Sequence, residues 1–144
     1  MKYRIYLDNC CFNRPYDDQT QLKVYLETQA KLHVQSLVYN NKIELVWSFI
    51  LKFENSRNIF NGKKKTIAQW ETLCSFFIEK SEKIRVTAKE IMITGVKEID
   101  AIHIACAIDG NCDYFITVDK RLLKYKDERI VICNPIEFIN NIEI

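Results

Sequence analysis

The fold is decided by the stretch Ile99-Asp100-Ala101-Ile102-His103-Ile104-Ala105-Cys106-Ala107-Ile108-Asp109-Gly110-Asn111-Cys112-Asp113-Tyr114-Phe115-Ile116-Thr117-Val118-Asp119. Its first part is an almost wholly apolar run with Asp100 near its start and Gly110 after its end, which predicts a buried helix. Its second part, 114–117, is rich in β-prone residues and is followed closely by Asp119. This pattern predicts a buried strand with an acid beyond its carboxyl end.

Segments of the same two kinds recur on both sides of this stretch. We predict further strands at 3–7, 43–47, 84–86 and 130–132. We predict further helices over 22–39, with a break in it, over 49–58, over 67–78, and on either side of a break at 94–95. Alternating strands and helices predict a three-layer α/β/α fold with a central, mostly parallel sheet. Without a repeat or a linker, one domain over residues 1–144 is expected.

The ends of two helices have candidate capping residues. Asp18 is predicted to cap the helix that carries Leu22, and Ser48 the helix that places Phe53 on its core side. Between elements, 40–42 is predicted to be a turn and 61–66 a basic loop.

The composition excludes several classes of protein. With 144 residues, 48% of them hydrophobic, and only 3 Gly and 2 Pro, neither a disordered chain nor a loop-rich disulfide scaffold is expected. The six cysteines contain no CxxC pair, so a structural zinc site is not expected. No apolar run approaches the roughly eighteen residues of a membrane span, and a soluble, cytoplasmic protein without membrane contact is expected. The net charge of +2 is too small to identify a nucleic-acid binder.

Four acids stand where an α/β sheet forms its sites. Asp8 and Asp119 follow predicted strands, so they can meet at the carboxyl edge of the sheet. Asp100 stands near the start of the buried helix, and Glu54 lies in the helix that Ser48 begins. Each acid also has a structural interpretation. Asp8 and Asp119 suit caps or turns, Asp100 suits a helix N-terminus, and Glu54 suits a surface pair with Arg57. His103 is expected to be a packed, hydrogen-bonded core residue rather than a ligand.

Taken together, the chain resembles the PIN-domain nucleases, which include the VapC-like toxins of bacterial toxin–antitoxin pairs. The segments that carry the resemblance are 5–8, 47–54, 99–107 with 112–119, and the ending 132–139. The resemblance implies that Asp8, Glu54, Asp100 and Asp119 are the catalytic and metal-binding acids. It also implies that Thr117 shapes the site and that Asp113 supports it.

The same resemblance implies a Mg²⁺- or Mn²⁺-dependent endoribonuclease, with single-stranded RNA as the expected substrate. Lys63, Lys64 and Lys65 are candidate RNA-binding residues, although a solvated loop explains them equally well. For a toxin, an antitoxin protein would be the partner, and a homodimer is left open. The segment 9–42 is longer than in compact toxin-like members, so nuclease chemistry is the firmer expectation.

Three alternatives belong to other classes. A catalytically inactive PIN-like RNA-binding or assembly module would not need all four acids. A phosphoacceptor receiver would need adjacent acids before the acceptor and a late strand-end lysine, neither of which is clear here. A haloacid-dehalogenase-like phosphatase would need an acid at the position of Cys10.

Overall fold

The computed structural model describes residues 2–142, and its centre is a five-stranded sheet in which every pairing is parallel. The strands are β1 (Arg4–Leu7), β2 (Glu44–Ser48), β3 (Phe76–Ile78), β4 (Tyr114–Ile116) and β5 (Val131–Cys133), in the order β3-β2-β1-β4-β5. The helices are α1 (Asn9–Asn13), α2 (Leu22–Tyr39), α3 (Phe49–Ser56), α4 (Asn61–Glu71), α5 (Glu82–Ile93), α6 (Glu98–Asp109), α7 (Lys120–Leu123) and α8 (Pro135–Ile142). The predicted three-layer α/β/α fold is confirmed. In the described part of the chain, no helix is both long and apolar enough to span a membrane.

Alternation along the two central strands explains why both faces are covered. Tyr6 stacks on Phe115, its partner in the register, and its hydroxyl reaches His103 of α6. Successive side chains point to opposite faces, so the neighbouring Tyr114 points the other way, where its ring meets Phe138 of α8. Each face of the sheet therefore buries an aromatic residue against a helix.

The strand order places a crevice at one point of the carboxyl edge. After β3 the chain crosses to the far side of β1, so β1 and β4 are neighbours whose following loops lead in opposite directions. Leu7 pairs with Ile116, and the amide of Asp8 donates to the Ile116 carbonyl at 2.9 Å. The residues after β1 therefore lie beside those after β4.

The predicted basic loop over 61–66 is wrong, and the helix predicted over 67–78 is correct only as far as Glu71. Helix α4 begins at Asn61, includes the lysines and ends at Glu71. The following Phe76–Ile78 is strand β3, which pairs with β2. The aromatic and branched residues fit helical spacing on paper, but pairing with an open strand edge outweighs that local pattern.

The strand predicted at 84–86 is also wrong, because it lies inside α5. Ser81 caps this helix by accepting the amide of Ile84 at 3.3 Å. The buried residues are Ile84, Ala88 and Ile91, which recur with the period of a helix. Branched side chains alone suggested a strand, whereas the cap and the longer period determine the structure.

The segment before β2 differs from the prediction in two ways. Helix α2 is unbroken, and its N-cap is Gln21, while Asp18 instead accepts hydrogen bonds from Thr20. Upstream, α1 and a turn of 3-10 helix at Arg14–Tyr16 occupy residues for which no helix was predicted. In α3, Ser48 is the N-cap as predicted, but Phe53 is 47% exposed and does not belong to the core.

Gly110 ends α6 as predicted, for a different reason. Its φ is −77°, and the left-handed conformation falls to Asn111, with φ 55°. A Cβ at Gly110 would lie 3.2 Å from a methyl group of Val46 and 3.3 Å from one of Ile78. The glycine is needed because α6 ends directly on the sheet.

Candidate active site

The carboxylate of Asp8, at the carboxyl end of β1, accepts several hydrogen bonds. Asp8 is 5% exposed, and one carboxylate oxygen accepts the amide of Asn9 at 2.8 Å. The other oxygen accepts the hydroxyl of Thr117 at 2.9 Å and the thiol of Cys10 at 3.3 Å. Thr117 itself is fully buried and accepts the amide of Asp119 at 3.1 Å. Thr117 thus joins the ends of β1 and β4, as expected of a residue that shapes the site.

Glu54 is held by a chain of hydrogen bonds that crosses the core. Its carboxylate bonds Nε2 of His103, and Nδ1 of His103 lies 2.6 Å from the hydroxyl of Tyr6. That hydroxyl lies 2.6 Å from Oγ of Ser48, which accepts the amide of Leu51 at 3.2 Å. Residues of α3, α6, β1 and β2 therefore fix the position of one carboxylate.

The direction of each of these hydrogen bonds follows from the group at the end of the series, the Glu54 carboxylate. Two acceptors cannot face each other, so Nε2 of a neutral His103 carries the proton donated to Glu54. Nδ1 is then the acceptor, and Tyr6 donates to it. Burial raises the pKa of Tyr6 well above its usual value, so the hydroxyl keeps that proton. His103, 1% exposed, is the hydrogen-bonded core residue that was predicted, and it also positions Glu54.

Asp100 stands in the first turn of α6 and is half-buried. Its pKa is raised, first by loss of hydration and then by the negative charges of Asp8 and Asp119, with a further contribution from Glu54. The charges of the other three predicted acids therefore all act on Asp100. Asp119 also caps α7, where its carboxylate accepts the amide of Arg121 at 2.8 Å.

The donors present suit a hard divalent cation. Asp8, Glu54 and His103 can each offer one ligand atom, all within 4.8 Å of one another. Both ring nitrogens of His103 are already in hydrogen bonds, which leaves the carboxylate oxygens as the available donors. Oxygen donors are what Mg²⁺ and Mn²⁺ prefer. The clustered negative charges explain why a cation would be favoured here.

The predicted supporting role of Asp113 is wrong, because this residue lies at the opposite edge of the sheet. Its carboxylate accepts the backbone amide of Arg4 at 2.8 Å, beside the start of β1. A strand rises about 3.3 Å per residue, so the four residues from Arg4 to Asp8 separate the two edges by about 13 Å. Asp113 precedes β4, whereas the site lies beyond its end.

The three candidate RNA-binding lysines occupy different surroundings on α4. Lys63 lines a shallow recess with Glu54, Asn9 and Arg57, which we name the Glu54-side recess. Its ammonium lies 4.8 Å from the ring centroid of Tyr16. Lys64 and Lys65 line a separate recess that contains none of the four acids. Only Lys63 is placed beside the candidate site.

Cys10 and Tyr6 make contacts at the site that the sequence analysis did not predict. Cys10 was not among the candidate site residues, yet its sulfur also lies 3.3 Å from the Thr117 hydroxyl. The available signal was its position two residues after a strand-end acid. Tyr6 gave no such signal, because a tyrosine in a buried strand is ordinarily a packing residue.

Comparison with known proteins agrees with this architecture. A chain in the crystal structure of VapBC2 from Rickettsia felis, bound to a DNA fragment from their promoter, is 14% identical, with a TM-score of 0.57. The match covers 91% of this chain and 98% of that chain, and at this identity it shows a shared fold. Among curated proteins, no sequence matches the chain. The profile of the family described as PIN domain matches residues 5–128. The chain therefore belongs to the PIN domain family.

Proposed function

We propose that the protein is a metal-dependent endoribonuclease that hydrolyses phosphodiester bonds of single-stranded RNA. The observation that carries the proposal is that ligand atoms of Asp8 and Glu54 lie within 4.8 Å of each other, while Thr117 bonds both the Asp8 carboxylate and the Asp119 amide. The charges of these three acids also raise the pKa of Asp100. Within residues 2–142, none of these carboxylates forms an ion pair with a lysine or arginine. Such a set is costly for a purely structural role and suits a cation site.

In this proposal, Asp8, Asp100 and Asp119 hold one or two Mg²⁺ or Mn²⁺ ions. A divalent cation at these acids would shield the phosphate charge and stabilise the leaving oxygen. Glu54, fixed by His103, would ligate a cation or orient the water that attacks the phosphorus in line. Thr117 and Cys10 hold Asp8 in place through its second oxygen. No covalent intermediate is needed, because the attacking group in this proposal is water.

Single-stranded RNA is the preferred substrate for geometric reasons. The Glu54-side recess is shallow and open, so a flexible strand can bring its backbone to the acids. Unstacked bases can then pack on exposed aromatic residues such as Phe60, which lines this recess. A chain of this size cannot enclose a duplex.

The structural neighbour supports a toxin of a toxin–antitoxin pair as the biological setting, because it belongs to a VapBC complex. On that basis we propose an antitoxin protein as partner and the cytoplasm as the place of action. A second copy of the chain is a further candidate partner. The inactive-module alternative loses support because all four acids are present and Asp8 lies beside Glu54.

The decisive experiment measures cleavage of a labelled pool of varied single-stranded RNA by the purified, partner-free protein. We expect internal cuts with Mg²⁺ or Mn²⁺ and none in excess EDTA, with activity restored when the metal is added back. An Asp8→Asn variant prepared in parallel controls for contaminating ribonucleases. Equal cleavage with and without EDTA would contradict the mechanism.

A further inference from the structure

A second recess opens beside the acids, on the side of Asp100. It has a volume of about 450 Å³, lies between the loop before α6 and the segment that follows β4, and includes Asp100 in its wall. Its wall also contains the four basic residues Lys97, Arg121, Lys124 and Lys126. We name it the Asp100-side recess.

The side chains of these basic residues contribute little to holding the fold together: among described residues only Lys126 makes a hydrogen bond, donating to the Leu123 carbonyl at 3.5 Å. All four are exposed, and none forms an ion pair with a described residue. Arg4, Arg14 and Arg129, by contrast, are each paired with an acid. Lys97 and Lys124 flank helices without capping them through their side chains. Neither ion pairing nor side-chain helix capping explains why Lys97, Arg121 and Lys124 converge here.

Asp100 connects the basic residues of this recess to the candidate site. Asp100 is the one carboxylate of the recess wall, and that carboxylate belongs to the candidate site. Across the site, the Glu54-side recess carries Arg57 and Lys63. Positive charge therefore lies on two sides of an acidic centre, although the net charge of the whole chain is only +2.

We propose that the Asp100-side recess binds backbone phosphates of the RNA on one side of the cut, while the Glu54-side recess holds the other side. This inference rests on the proposed function and adds the path that the RNA takes across the site. A polyanion with regularly spaced charges needs cations on both sides of an acidic floor, since the floor itself repels it. The lysines act as point charges, so they bind phosphates without selecting a base sequence.

The test changes Lys97 and Lys124 together to Ala and measures RNA affinity by fluorescence anisotropy in EDTA, where no cleavage occurs. The matched control changes Lys2 and Lys42 to Ala. These exposed lysines precede β1 and β2 at the amino edge of the sheet. For single strands, the slope of log affinity against log salt should fall by about 0.7 for each lost contact, so by about 1.4 in the first variant. The control should keep the wild-type slope.

A second readout locates the contact once the cut has been mapped. Neutral methylphosphonate linkages are placed on one or the other side of the scissile phosphate. For one side, the substitution should raise the KM of wild type several-fold and leave the Lys97/Lys124 variant unchanged, because its contact is already lost. Equal sensitivity of the two enzymes on both sides would overturn the inference.

The outcomes separate the two proposals. If wild type cuts RNA with metal and the Lys97/Lys124 variant binds RNA with the wild-type slope, this inference is wrong and the nuclease proposal stands. If wild type neither cuts nor binds RNA, both are wrong. If the variant loses affinity for an acidic peptide but not for RNA, the recess is a protein-binding surface and the inference is overturned.

Discussion

At the amino edge of the sheet, Arg4 contacts two acids. Its guanidinium pairs with Glu44 at 3.5 Å, and its backbone amide donates to Asp113 at 2.8 Å. At the carboxyl edge, Asp8 and Asp119 accept only hydroxyl, thiol or backbone donors, and no described lysine or arginine pairs with them. The same residue types therefore have different electrostatic surroundings at the two edges.

The difference separates acids that stabilise the fold from acids that impose a cost on it. At the amino edge, each carboxylate contributes a modest stabilising contact. At the carboxyl edge, the charges repel one another, and the pKa of Asp100 is raised by burial and by the charges of Asp8 and Asp119. Acids kept in an unfavourable arrangement are candidates for function rather than stability.

The largest expected effect comes from neutralising acids at the carboxyl edge. Asp100→Asn and Asp119→Asn should each lower RNA cleavage by about 100-fold or more, because an amide is a poorer ligand for a divalent cation. Stability should not suffer. Asparagine caps a helix as well as aspartate does, so Asp119→Asn keeps the start of α7. Loss of repulsion at half-buried Asp100 should stabilise the metal-free protein by about 0.5 to 1 kcal/mol.

Melting curves with and without Mg²⁺ complete this test. Mg²⁺ should raise the Tm of wild type more than that of either variant, because a ligand that binds only the folded state stabilises it. Without metal, the raised pKa of Asp100 means that the folded state retains a proton that the unfolded state has lost. The unfolding free energy of wild type should therefore fall as pH rises from the ordinary pKa of an aspartate to the raised pKa of Asp100. The fall should be less steep in Asp100→Asn. Two destabilised but fully active variants would contradict the site assignment.

How far the sequence could predict this molecule is visible in particular elements. The stretch 99–119 carries local and long-range information that agree: a buried helix, its closing glycine, a strand and a strand-end acid. The segment 61–86 does not, because Phe76–Ile78 becomes a strand only through pairing with β2. The misplaced third strand shows the limit of local pattern where the partner strand decides.

The positions of Asp8 and Asp119 beyond β1 and β4 were foreseeable because the carboxyl ends of parallel strands meet at one side of a sheet. The supports of the acids were less so. The bond from His103 to Glu54 joins residues 49 positions apart and depends on how α3 packs against α6. Asp113 was misjudged because its place directly before the predicted strand at 114–117, which puts it at the amino end of that strand, was not taken into account. Lys97 and Lys124 were missed because they lie far apart in the chain and meet only across one recess.

An intermediate effect is expected from Asp113→Ala at the amino edge. The substitution removes the acceptor of the Arg4 amide, and losing this partly exposed hydrogen bond should destabilise the fold by about 0.5 to 1.5 kcal/mol. RNA cleavage at a temperature well below the Tm should match wild type. Urea denaturation and an initial-rate assay measure the two quantities, with Asp113→Asn as a control that retains an acceptor oxygen. A loss of cleavage without a loss of stability would reverse the contrast between the edges.

The smallest effect distinguishes consecutive lysines by the recess that each one lines. Lys63 shares the Glu54-side recess, whereas Lys65 lies with Glu71 in a recess away from the acids. Lys63→Ala should therefore lower the salt slope of RNA binding by about 0.7, the share of one single-stranded phosphate contact. Lys65→Ala, the matched control, should leave the slope unchanged, and replacing 63–65 together should do little more than Lys63→Ala. The ammonium of Lys63 lies over the ring of Tyr16 and already makes a favourable cation–π contact there. The loss of RNA affinity in Lys63→Ala should therefore be small. Equal effects at both lysines would mean that α4 attracts RNA through general charge. The proposed path of the RNA through the Glu54-side recess would then be wrong.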